Sequence, residues 1–261
     1  PEDKKTPIVN QIIDSVDISK IDSDETFYQL MLNIYKLLND TITVISQENP
    51  EIAFRLFLTA AAQVNSIKSN HSNFEEACAS FMNAALNIFQ EGKYDQNIKY
   101  SLLCEITGYL LTFNILGQEN VENIIKVLME SGKNMVKRSD QFNSMLCIGE
   151  IYHILLKDGD KTLDCINKAR KFADFAMTNP QNLHLFNELL NKFLYYAELD
   201  DGIVNVKGEQ IDEVIEVIKN HIQNGKNEVS VDSSFLPPVE LYFNNTLDIL
   251  RRKKDEPNHK S

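Results

Sequence analysis

Tryptophan is absent from the 261 residues, and glycine and proline occur only nine and seven times. So little glycine leaves no Walker phosphate loop and no dinucleotide-binding fingerprint. Alternation of β-branched residues is nearly missing as well, which excludes a sheet-based fold and points to an all-α chain. Cations are in deficit: 26 Lys and Arg against 38 Asp and Glu give a net charge of -12. That balance excludes nonspecific binding to nucleic acid or to an anionic membrane surface, because phosphate neutralisation needs clustered Lys and Arg. The one basic run, Arg251-Arg252-Lys253-Lys254, is short and reads as the C-terminal turn of a helix. No apolar run approaches the ~20 residues of a membrane-spanning helix, and no signal-peptide core opens the chain. The four cysteines, Cys78, Cys104, Cys147 and Cys165, lie too far apart for a zinc knuckle or a small disulfide scaffold. They read as buried reduced thiols, which suits cytosol. A first residue of Pro1 reads as a piece of something longer.

What is present is helical periodicity. From Pro50 to Gln90 two apolar stripes follow each other: Ile52, Leu56, Phe57, Ala60, Val64 and Ile67, then Phe74, Ala77, Cys78, Phe81, Met82, Ala85 and Phe89. Asn49-Pro50 starts the first helix, and Ser72 with Glu75 reads as a capping box for the second. A long helix precedes them from Asp24. Asp95 caps a helix that runs to Gly117, its partner spans about 119–138, Asp140 caps the next, and Asp158-Gly159-Asp160 turns into another. Asn179-Pro180 and Pro237-Pro238 open later ones. Pair starts at Pro50, Asp95, Asp140 and Pro180 recur near the ~40–47-residue period of HEAT repeats. The expected fold is therefore an all-α, HEAT-like α-solenoid of antiparallel helix pairs, with a compact bundle as the alternative. Residues 1–22 read as a weakly ordered lead-in, 23–254 as the solenoid with a flexible loop at 223–235, and 255–261 as a charged tail.

Catalytic chemistry finds no foothold. Glu150 and His153 match half of a di-iron Glu-x-x-His motif, but no second copy exists. Asp200-Asp201 lacks the further aspartate that an aspartate-rich metal site needs, since position 204 is Val204. Asp158 and Asp160 lack the glycine and glutamate of a calcium loop, and the five histidines pair with no cysteine. No cofactor and no metal is expected, and the chain does not read as an enzyme.

Arg55-Leu56-Phe57-Leu58, then Phe81-Met82 with Ala84-Ala85 and Phe89, then Phe243-Asn244-Asn245-Thr246-Leu247 with Leu250 and Arg251, carry a resemblance. In order and spacing they resemble the C-terminal half of the retromer scaffold family, vacuolar protein sorting protein 35, in register from about Phe27 to Lys254. The resemblance implies a non-enzymatic scaffold of an endosomal sorting coat. Its C-terminal solenoid cradles the phosphoesterase-fold subunit, vacuolar protein sorting protein 29. An arrestin-like subunit binds an N-terminal motif that this chain does not contain. In the family, a histidine on the helix after a Lys-Lys-Pro-Asp-Gln turn sits against the partner. Here the turn is Lys137-Arg138-Ser139-Asp140-Gln141 and Glu150 takes the histidine's position, with His153 one turn on as a substitute. The same turn carries basic residues of a scaffold-to-scaffold dimer, which makes Asn134, Lys137 and Arg138 candidate dimer contacts, with Asn134 uncharged. For the partner cradle, Asn187, Asn191, Tyr195 and Tyr242 join Glu150 and His153, because polar-tipped aromatics suit an interface. The other reading is a different cytosolic α-solenoid adaptor or transport receptor, and either one calls for an exposed apolar-aromatic strip.

Overall fold

The computed structural model describes residues 24–67, 72–176, 183–199, 201–227 and 236–255. Among these, regular structure is entirely helical: α1 (Asp24–Glu48), α2 (Pro50–Asn65), α3 (Ser72–Glu91), α4 (Gln96–Leu111), α5 (Gln118–Lys133), α6 (Arg138–Ile151), α7 (Gly159–Ala176), α8 (His184–Leu199), α9 (Gly208–Asn227) and α10 (Leu236–Asp255). A π-helical turn, Tyr152–Leu156, follows α6. This is the all-α, HEAT-like architecture of successive helix pairs. The lead-in, the Asn179-Pro180 opening and the tail from 256 lie outside the described residues. The start of the loop expected at 223–235 is helical, since α9 continues to Asn227, and the rest of it lies outside the described residues. The helices fall into two compact units where the periodicity suggests one array. The first holds α1 to α3 with residues 112–120, and the second holds α4 and the chain from Val121 onward.

In the first unit Asn49 caps α2, its side chain accepting the Ile52 amide at 3.1 Å, with Pro50 at the first helical position. Packed between α1 and α3, α2 buries Phe54, Phe57, Leu58, Ala61 and Val64, each worth about 1.5–3 kcal/mol for the larger side chains. Ile52 and Leu56, expected in the stripe, are 50% and 38% exposed. A helix with neighbours on two sides turns a broader, rotated face inward than a single stripe suggests. On α3 the facing residues are Phe74, Cys78, Phe81, Met82, Ala85 and Phe89, and Tyr28 and Tyr35 of α1 meet Phe74 edge-on. Glu75 reaches beyond its own helix. Its carboxylate accepts the Gly117 amide at 2.7 Å and the Asn120 side chain at 3.3 Å. Asn65 holds the same segment, accepting from Asn114 and Ile115 and donating to the Thr112 carbonyl.

In the second unit α4 starts as expected: Asp95 accepts the amides of Asn97 and Ile98 at 2.9 and 3.0 Å. It ends at Leu111 and not at Gly117, because Asn65 supplies the 112–115 segment with partners that a helix would otherwise provide. The next helix begins at Arg138, so Asp140 lies within its first turn and does not cap it. There Gln141 reaches back to the Lys133 carbonyl at 2.6 Å and ties α6 to the end of α5. Along its length α6 packs on α7 and also on α4, while α8 rests on α7 and α9 and carries α10.

Candidate partner-binding surface

The end of α6 determines where several expected contact residues point. The π-helical turn adds a residue to the last coil, and Lys157 closes it in the left-handed region at φ 53, with the Asp158 amide on the Tyr152 carbonyl at 3.0 Å. The insertion turns His153 inward, where it is 5% exposed. Its Nε2 meets Asp201 Oδ2 at 2.5 Å and its ring stands edge-on to Tyr196, centroids 5.1 Å apart. The Ile203 amide, and then His153, hold the Asp201 carboxyl below the usual range. Two motifs that fail separately as metal sites thus meet as a structural hydrogen bond. Among the described residues no cluster of three His, Cys, Asp or Glu side chains offers a metal site.

Glu150 is committed in the same way. It pairs with Lys192 and accepts the Tyr196 hydroxyl at 3.0 Å, joining α6 to α8. Burial first and the Glu150 charge second push the Tyr196 phenol far above its ordinary value. The Lys192 ammonium also lies over the rings of Tyr195 and Tyr196, 5.2 and 5.8 Å from their centroids. Glu150 and His153 are therefore spent inside the chain. For His153, burial corrects the expectation of a direct partner contact.

The α8–α10 side divides the remaining candidates. Asn187 is also corrected: it is 4% exposed and donates to the Val239 carbonyl at 3.3 Å. One turn on, Asn191 donates to the Tyr242 hydroxyl at 2.5 Å, and this pair sits in a groove of about 340 Å³ between α8 and α10. Leu194 and Glu198 of α8 and Asn245, Thr246, Ile249 and Leu250 of α10 complete its walls. Tyr242, Leu241 and Ile249 are half or more exposed, and Tyr195 is 45% exposed. On the helical wheel Tyr195 stands between the groove stripe of Asn191, Leu194 and Glu198 and the inward stripe of Lys192 and Tyr196. Leu241 and Ile249, which the apolar pattern assigns to core, are surface residues. α10 packs on α8 and α9, and the stripe does not say which of its positions those two neighbours cover.

The dimer candidates lie together at the α5–α6 turn. Asn134 bonds to Glu130 at 2.8 Å, Lys137 to Asn97 at 2.6 Å and Arg138 to Gln141 at 2.7 Å. The Arg138 guanidinium also covers the Phe175 ring at 5.3 Å. Val136, in the same turn, and Phe175, under the Arg138 guanidinium, are 74% and 65% exposed. Among the described residues no helix is long and apolar enough to cross a membrane.

Known proteins resemble this chain along most of its length. The family model for vacuolar protein sorting-associated protein 35 matches residues 5–221. Vacuolar protein sorting-associated protein 35B of Arabidopsis thaliana is 24% identical over 230 residues, 84% of this chain and 28% of the relative. Vacuolar protein sorting-associated protein 35C of the same plant is 26% identical over 240 residues, 85% of this chain and 28% of the relative. Vacuolar protein sorting-associated protein 35 of Schizosaccharomyces pombe is 21% identical over 175 residues, covering 63% and 20%. The chain thus spans little more than a quarter of the length of these plant relatives. With the family model matched over most of its residues, the chain belongs to the vacuolar protein sorting-associated protein 35 family.

Proposed function

We propose that this chain is a solenoid portion of a retromer scaffold subunit and binds the phosphoesterase-fold subunit, vacuolar protein sorting protein 29, in endosomal cargo recycling. It does so as a non-enzymatic scaffold, associated with endosomes through its partners. The arrestin-like subunit engages a part of the scaffold outside this chain. The observation that carries the reading is the groove between α8 and α10. There, exposed Tyr242 is oriented by Asn191, with Ile249 along the same wall and Tyr195 at the edge. An aromatic with a fixed hydroxyl buries a large area at low entropic cost, and a few such anchors carry most of an interface's energy. Glu150 and His153 support the surface from behind by fixing α8 and the 201–204 segment.

Titration calorimetry of this chain against the purified phosphoesterase-fold subunit tests it. Micromolar or tighter binding is expected. Tyr242→Ala and Tyr195→Ala should each weaken it about tenfold or more, equivalent to about 1.4 kcal/mol. No heat at two temperatures would remove the reading.

A self-association surface is the second reading, and the exposed Val136 and Phe175 beside Lys137 and Arg138 favour it. Small apolar areas ringed by polar groups are how such contacts begin.

A further inference from the structure

Two cysteines stand outside the surfaces above. The starts of α4 and α6 are tied together, with the Val136 amide on Gln96 Oε1 at 3.3 Å and Lys137 Nζ on Asn97 Oδ1 at 2.6 Å. The two helices pack side by side and run in the same direction, so about two to three turns on, Cys104 of α4 and Cys147 of α6 reach the same level. There the Cys104 and Cys147 side chains are close enough for each to perturb the other, and Tyr100, one turn back on α4, adjoins Cys104. Both thiols are half-buried, whereas Cys78 and Cys165 are fully buried.

We propose that Cys104 and Cys147 form a reactive dithiol, a site of reversible oxidation by peroxides, with Cys104 as the nucleophile and Cys147 as the resolving thiol. Cys147, and then Tyr100, favour the Cys104 thiolate and hold its pKa below the ordinary thiol range. Burial pushes Cys78 and Cys165 up to about 12, which leaves both inert. The Cys104 thiolate attacks a peroxide oxygen. The O–O bond breaks, the alcohol or water leaves with a proton from solvent, and Cys104 becomes a sulfenic acid. The Cys147 sulfur then attacks the Cys104 sulfur, the S–OH bond breaks, and water departs with the Cys147 proton. The dithiol has lost two electrons, the peroxide has gained them, and the new S–S bond clamps α4 to α6. An external thiol reverses the clamp by exchange.

The test uses the full chain, titrated with hydrogen peroxide, digested without reductant and mapped by mass spectrometry. The expected product is one internal cross-link between the Cys104 and Cys147 peptides, with the loss of two hydrogens, regained on treatment with dithiothreitol. In Cys147→Ser a dimedone adduct should accumulate on Cys104. In Cys104→Ser neither adduct nor cross-link should form. Cys147→Ala serves beside Cys147→Ser, and a circular dichroism melt identifies the variants that are folded. The proposal is overturned if no internal cross-link appears at peroxide levels that already oxidise methionine. It is also overturned if Cys78, Cys165 or Cys147 labels before Cys104.

Discussion

A Cβ atom placed on Gly159 would lie 1.8 Å from the Ile203 carbonyl oxygen, well inside contact distance. Gly159 is there because two backbones meet: the first turn of α7 and the segment that carries Asp201 to His153. Gly159→Ala forces the segment outward and loosens the Asp201–His153 bond. We expect a loss of about 1–3 kcal/mol, the ordinary cost of overpacking, read as a lower urea midpoint. Its neighbour Asp158 caps α7, accepting the Lys161 amide at 2.9 Å, and that bond holds its carboxyl below the usual range. A depressed acid contributes stability that is present above its unfolded pKa of about 3.9 and is lost as pH falls through the lower folded value. Asp158→Asn keeps the capping oxygen but not the charge. It should cost about 0.3–1 kcal/mol near neutral pH, and the difference should vanish near pH ~2–3 when melts of the two proteins are compared. The cap on α7 is legible from Asp158-Gly159 alone. The close approach at Gly159 is not, since it depends on a residue more than forty positions away.

Helix boundaries follow the same division between local and distant causes. Asn49-Pro50 and Asp95 are complete signals, because their partners lie within three residues, and both helices start where those residues place them. The end of α4 depends on Asn65, which makes three hydrogen bonds to residues 112, 114 and 115. Removing that amide should leave two N–H groups and a carbonyl without their partner. Asn65→Ala should cost about 1–3 kcal/mol and raise amide hydrogen exchange selectively at 114 and 115, while exchange in the core of α3 changes less. Exchange rising uniformly across α2, α3 and 112–120 would show instead that the segment is not held by Asn65. The π-helical turn was also beyond the pattern. Periodicity places Tyr152 and Leu155 inward, and one inserted residue moves His153 into the interior in their stead. The candidate site suffered most from this. Glu150 and His153 have the residue types of a contact, but Lys192, Tyr196 and Asp201, which occupy them, come from another helix and a loop. The nearness of Cys104 to Cys147 is illegible in the sequence for the same reason, since it exists only once α4 and α6 are side by side.

For the molecule as a whole, charge decides which contacts are available. At a net charge of -12, two copies repel each other, and any self-association has to overcome that repulsion with apolar area. The exposed Val136 and Phe175 supply such area, and Arg138 over the ring supplies a local positive potential in an acidic protein. Screening then separates two kinds of contact. If apolar burial drives pairing against like-charge repulsion, raising salt from about 50 mM to about 300 mM shortens the Debye length and strengthens the dimer. If Lys137 and Arg138 drive it by reaching acidic groups on a second copy, the same change weakens it. Their side chains already hold Asn97 and Gln141, so the apolar contribution should dominate. Sedimentation velocity across a concentration series should therefore show a dimer favoured by salt. Phe175→Ser should shift the equilibrium toward monomer by about tenfold or more, and Lys137→Ala should change it by less than about threefold. A monomer at every concentration and both salts would retire the self-association surface and leave the α8–α10 groove untouched, because the two share no residue.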